Sequence, residues 1–178
     1  KENKVRMLPV MNKGQLVGII SDTDLKRASA SDATMLDMHE LLYLISKIRV
    51  NEIMTKNPVT VPEDLTVEET AQLLMEHNIS GVPVMDHKGG LVGIITRHDV
   101  FKILISLSGL GKRGIQLAFL IDDASGSIKK LTVVRRSFEG RISSILSTYE
   151  FAPAGKRIVY IRIYELDRSR LPDLIQEL

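Results

Sequence analysis

The chain has 178 residues, 44% of them apolar and 26% charged, a formal net charge of +2 and no cysteine. That is the size and composition of a folded globular protein of one large domain or two small ones. It excludes a disulfide framework, a thiolate metal site, a nucleic-acid-binding tail and a membrane span of roughly 18 apolar residues, and with no signal-peptide pattern it points to a cytoplasmic chain.

In chain order, Val5, Leu8 and Val10 lead into a strand, Lys13-Gly14 makes a turn, and residues 16–20 form a wholly apolar strand suited to burial on both faces. Asp24 to Arg27 opens a helix, a small polar linker follows, and residues 37–48 carry Met38, Leu41, Leu42, Ile45 and Ile48 at helical period. Pro58 and Pro62 set residues 55–61 as extended. Thr66-x-x-Glu69 is a capping box that starts a helix with Val67, Ala71, Leu74 and Met75 on one face, and Asn78 is its left-handed stop. Strand (82–85), turn, strand (91–95) and helix (98–107) complete this part. Residues 108–114 read as a flexible glycine-rich linker. Beyond it come a strand (115–121), a helix marked by Ile128, Leu131, Val134 and Phe138 and ended at Gly140, a strand (142–149), a turn at Phe151–Gly155, and a strand (158–164) with Val159, Ile161 and Ile163 on one face. Ser169 caps a last helix. This β-α-β-β-α order lacks the final strand of a ferredoxin-like unit, so the C-terminus is expected to be incomplete.

Two stretches are copies of each other. Leu16 to Asp24 reads LVGIISDTD, and Leu91 to Asp99 reads LVGIITRHD. The match extends upstream, where Leu8-Pro9-Val10-Met11 answers Val82-Pro83-Val84-Met85. Such duplication predicts pseudo-two-fold packing with a cleft between the copies. The second copy has a lead-in from about Val50 that the first lacks, so the chain is expected to start inside its first repeat.

Chemistry concentrates in the repeated hydroxyl-x-x-Asp, Ser21 with Asp24 and Thr96 with Asp99. Each pair is close to a capping box with Asp in place of Glu. The same corner delivers a hydroxyl and a carboxylate to a helix N-terminus, where N–H groups and the dipole favour an anion and a carboxylate accepts bonds from ribose hydroxyls. Cap and ligand roles are compatible. Other matches carry less. Gly109-x-Gly111-x-x-Gly114 follows a helix and precedes a strand, the reverse of a dinucleotide fingerprint. His39-Glu40 lacks the second His of a zinc-protease helix. Asp122-Asp123 is a carboxylate pair in a turn that favours Asp anyway. No nucleophile, metal cluster or paired acid and base stands out, so no enzyme is expected, and no metal or cofactor.

Gly18 to Asp24 and Gly93 to Asp99 both fit the Gly, two hydrophobics, Ser/Thr, x, x, Asp motif of CBS domains, named after cystathionine β-synthase. Leu8-Pro9-Val10, Val82-Pro83-Val84 and the segment Ile53 to Val61 fit that family too. Residues 1–108 therefore resemble a tandem CBS pair: an incomplete first module (1–30), a linker helix (31–48) and a second module (49–108). The resemblance implies two clefts for adenosine compounds such as AMP, ADP, ATP or S-adenosylmethionine. One cleft would use Ile19, Ser21, Thr23 and Asp24 with Thr55, Thr60, Ile79, Ser80 and Gly81. The other would use Ile94, Thr96, His98 and Asp99 with Val5, Arg6 and Met7, and Arg6, Arg97 and His98 would bring charge for a phosphate. Asp22 beside the first motif would repel one.

After a linker (109–113), residues 114–178 resemble an ACT domain, with Gly126 at the strand-to-helix turn and Ser125 where that family keeps Pro. The order CBS–CBS–ACT is similar to bacterial acetoin-utilisation regulatory proteins. The resemblance implies an α/β (α+β) chain: a CBS pair with pseudo-two-fold symmetry plus a ferredoxin-like βαββα(β) unit. Such a chain would be a regulatory homodimer that senses an adenosine-type small molecule, with the ACT-like unit aiding dimerisation. A ligand-free interaction scaffold and an amino-acid sensor acting through the ACT-like unit are the alternatives.

Overall fold

A computed structural model describes residues 5–30, 43, 46–134, 140–167, 169 and 172, with backbone alone at 29, 30 and 132–134. Most of the expected helix over 37–48, Phe138, and the last helix beyond Ser169 and Pro172 lie outside the described residues. The chain divides into two compact units, Lys1–Val100 and Phe101–Leu178.

In the first unit, β1 (Met7–Asn12) and β2 (Gln15–Ser21) form an antiparallel hairpin. Its turn places Lys13 at φ 48° and Gly14 at φ 82°. Two successive left-handed residues match the twist of the flanking strands. Helix α1 (Asp22–Ala30) follows directly. After the short helix α2 (Val50–Ile53), β3 (Thr55–Lys56) returns to β2 and completes a sheet of order β1-β2-β3. The pairing Ile19↔Thr55 and Gly18↔Lys56 covers the wholly apolar run, and Gly18, Ile19 and Ile20 are buried.

Next come β4 (Val61–Pro62), α3 (Val67–Glu76), β5 (Gly81–Met85), β6 (Leu91–Thr96) and α4 (Arg97–Leu107), with a second sheet of order β4-β5-β6. The Thr66–Glu69 box is present: Glu69 N donates to Thr66 Oγ1 at 3.3 Å, and Thr66 N donates to Glu69 Oε2 at 3.0 Å. Asn78 takes φ 49°, the left-handed stop its type allows. Val61, Leu74, Val82 and Val100 form the core, with Val67 and Ala71 against it. Met75 is not on that face. It lies one residue, about 100°, beyond Leu74 and is 76% exposed. Thr70 takes a place in the buried stripe instead, its hydroxyl donating to Thr66 O at 2.8 Å.

The second unit holds β7 (Ile115–Asp122), α5 (Ser127–Val134), β8 (Arg141–Thr148) and β9 (Lys156–Tyr164), in an antiparallel sheet of order β7-β9-β8. Val159, Ile161 and Ile163 make its core with Leu117, Phe119, Ile128 and Leu131. The glycine-rich stretch before it is packed, which corrects its reading as a flexible linker. Ser108 O accepts from Arg162 Nε and Ser144 Oγ, each at 2.8 Å, and a Cβ on Gly114 would collide with the Ile163 main chain.

Candidate functional site: two repeated strand-to-helix corners

The repeats carry the same irregularity. Both hairpins shift register at the Val-Met step, between Val10 and Met11 and between Val84 and Met85. That shift precedes the apolar strand delivering each hydroxyl residue to a helix start. At the first corner, Asp24 Oδ2 accepts from Ser21 N at 2.8 Å and Ser21 Oγ at 2.7 Å, and Asp24 N donates back to Ser21 Oγ at 3.2 Å. At the second, Asp99 Oδ2 accepts from Thr96 N at 3.0 Å and Thr96 Oγ1 at 2.6 Å, and Asp99 N donates to Thr96 Oγ1 at 3.4 Å. Both are reciprocal boxes in which the shorter Asp does the work of Glu. All four residues are half-buried, so each corner is sheltered yet reachable.

Main-chain bonds tie each strand start to the corner of its own repeat. Asp22 N donates to Arg6 O and Arg97 N donates to Ser80 O, both at 3.0 Å. Met7 stands opposite Ser21, and Gly81 opposite Thr96. Val5, Arg6 and Met7 are thus placed by the backbone beside Ser21, and Ser80 and Gly81 beside Thr96. The two corners meet through Met7, whose sulfur lies 3.2 Å from where a Cβ on Gly81 would be. Ile19 and Thr55 are brought together by the β2–β3 pairing. Thr23 is exposed on the first turn of α1, and Thr60 is exposed between β3 and β4. Ile79 packs on the second module's core. Ile94 is half-buried opposite Pro83 in β6.

The corners differ in charge. The first turn of α1 carries Asp22 and Asp24, and Asp22 pairs with Lys26 at 3.6 Å. The first turn of α4 carries Arg97, His98 and Asp99. Arg97 is exposed, and its Nη2 donates to Leu74 O and Asn78 Oδ1, both at 3.3 Å. The reason is geometric. Carbonyls at the end of α3 look outside the helix for donors: Leu74 O accepts from Ile79 N at 3.1 Å and takes the Arg97 guanidinium as a second donor. His98 is exposed.

Met54 escaped the sequence reading. Its sulfur occupies the space a side chain at Gly18 would need. No local pattern announces this, because the two residues are far apart in the chain. Asp122 and Asp123 are turned to separate basic partners, Lys156 Nζ at 3.7 Å and Arg157 Nε at 3.5 Å, rather than to one another. Among the described residues no group of His, Asp or Glu could hold a metal ion, and no helix is long and apolar enough to cross a membrane.

A CBS-domain family model matches residues 1–31 and 50–106. A CBS domain-containing protein of Dictyostelium discoideum is 39% identical over 106 residues, covering 59% of this chain and 73% of the relative. An uncharacterised protein of Methanocaldococcus jannaschii is 32% identical over 128 residues, covering 59% and 76%. Among solved structures, CBSX2 in complex with AMP is 35% identical, covering 58% of this chain and 76% of that one with a TM-score of 0.47. A CBS domain pair in complex with 5'-methylthioadenosine and S-adenosyl-L-methionine is 34% identical, with the same two coverages and TM-score.

Proposed function

This chain belongs to the CBS-domain family as a tandem pair, and from that premise we propose that it is a non-enzymatic regulatory protein whose paired modules bind an adenosine compound. The duplicated corner carries the reading. Among the described residues the cap engages only Oδ2 of Asp24, and Oδ1 is left to accept ribose hydroxyls. Ser21 supplies a hydroxyl beside it, and Ile19 with Thr55 lines the approach. Charge separates the two clefts. Asp22 and Asp24 at the start of α1 suit an uncharged adenosine derivative there. At the second cleft, His98 beside Thr96 and Asp99 suits a phosphorylated one. For binding to regulate, the ligand must prefer one arrangement of the protein over another. The second unit, which resembles an ACT domain, serves in this reading to hold a homodimer.

Thermal melting with AMP, ATP, S-adenosylmethionine and a set of amino acids tests this, with light scattering for the dimer. A ligand at 100 times its dissociation constant stabilises by about 2.7 kcal/mol. That is a rise of about 5–10 °C for a chain of this size. A rise with an adenosine compound supports the reading. A rise with an amino acid alone moves the sensor to the second unit. An unresponsive dimer leaves an assembly scaffold, the outcome in which both Asp residues serve solely as helix caps.

A further inference from the structure

Each module lays a methionine sulfur on a glycine of the other. In β2, a Cβ on Gly18 would fall on Met54 Sδ and within 3.0 Å of the Thr55 carbonyl oxygen. In β5, a Cβ on Gly81 would lie 3.2 Å from Met7 Sδ. Gly93, which answers Gly18 in the repeat, has nothing within 4 Å of the same position. Neither Gly18 nor Gly93 has a positive φ, so the backbone does not demand glycine at either place. What distinguishes Gly18 is the sulfur seated on it.

We propose that Met54 is an oxidation-sensitive clamp between the two modules. A peroxide is the oxidant. The Met54 sulfur lone pair attacks one peroxide oxygen, the O–O bond breaks, and sulfur keeps that oxygen as a sulfoxide. The other oxygen of hydrogen peroxide leaves as hydroxide and becomes water by taking the proton from the oxygen now on sulfur. Sulfur loses two electrons and the peroxide gains two. The product is a polar, larger group where a soft apolar one fitted. The seam it holds is short: β3 meets β2 through two residue pairs, Gly18↔Lys56 and Ile19↔Thr55. Met54 is half-buried and within reach of a small oxidant, and its backbone is fixed by the bond from its N–H to Val50 O at 2.9 Å. The added oxygen must therefore be accommodated by β3 moving off β2. Met75, 76% exposed, takes up oxygen with no such contact to lose. No bound ligand is needed, so the proposal stands apart from the adenosine reading.

The test exposes the full chain to hydrogen peroxide, maps sulfoxides by peptide mass spectrometry, and measures melting and amide exchange. Three forms are compared: wild type, Met54→Leu and Met75→Leu. Leucine keeps most of the volume and cannot take the oxygen. In wild type, sulfoxide at Met54 is expected to lower the midpoint by about 3–6 °C and to speed exchange in β2 and β3. Met75→Leu should lose as much, and Met54→Leu no more than about 1 °C. A methionine sulfoxide reductase should restore the wild-type midpoint, a check that needs no variant to fold. The proposal is overturned if Met54 stays unmodified once Met75 is fully oxidised. It is equally overturned if Met54→Leu falls as far as wild type, or if wild type oxidised at Met54 melts unchanged.

Discussion

The two CBS copies share one hairpin and one corner and differ in what packs around them. Both close a hydroxyl-to-Asp box at the end of an apolar strand, with bonds of closely similar length. The second copy rests on a core of Val61, Leu74, Val82 and Val100 that includes a helix preceding its hairpin. In the first copy the buried strand β2 pairs with β3. Arg97 braces the second corner against α3, while Asp22 at the same place in the first pairs with an exposed Lys26. The corner is thus a local device that survives a change of neighbours, and its surroundings set stability and charge.

Core truncation should separate the copies most. Leu74→Ala removes a side chain that is 1% exposed at the centre of a cluster and is expected to cost about 3–5 kcal/mol in urea unfolding. Ile20→Ala, in β2 of the first copy, where the side chain is 8% exposed, should cost nearer 2 kcal/mol. Equal losses would mean the two cores are equivalent. Next come the matched glycines. Gly18→Ala must displace Met54 and should cost about 1–3 kcal/mol, whereas Gly93→Ala has open space and should stay within about 0.5 kcal/mol. A smaller contrast lies in the two motif neighbours. Arg97→Ala should lose about 1 kcal/mol with its bonds to Leu74 O and Asn78 Oδ1, and Asp22→Ala less than about 0.5 kcal/mol, as exposed pairs do.

The smallest effect is one of pH, at the Thr66–Glu69 box that starts α3. The Thr66 hydroxyl first, and its amide second, hold the Glu69 carboxyl below the usual Glu range. A folded value below the unfolded one stabilises above the unfolded value, and that contribution is lost as pH falls through the folded value. Glu69→Gln should therefore flatten the acid limb of stability against pH and change little in its slope at neutral pH. An acid limb identical to wild type would show that the box contributes nothing.

Sequence patterns revealed what is local. The duplicated corner, the Thr66–Glu69 box, the stop at Asn78 and the alternation of Val159, Ile161 and Ile163 each depend on residues a few positions apart, where side-chain type and spacing carry the signal. Contacts between distant positions stayed hidden. Met54 on Gly18, Arg97 on the end of α3 and Arg162 on the Ser108 carbonyl join residues that no period connects. The glycines of 109–114 illustrate the cost: composition suggests slack, and only the packed neighbours show that Gly114 is small because the Ile163 main chain lies against it. Met75 erred differently, since an apolar residue at the edge of a stripe reads like one inside it.

Isothermal titration of AMP into the wild-type chain, Asp24→Ala and Asp99→Ala tests the central claim most directly. Saturable binding is expected in wild type, with at least a tenfold loss of affinity (about 1.4 kcal/mol) in one variant. Each variant should also lose a cap-sized ~1 kcal/mol of stability. Binding that is absent from wild type for AMP and for other adenosine compounds, or that survives unchanged in both variants, would contradict it.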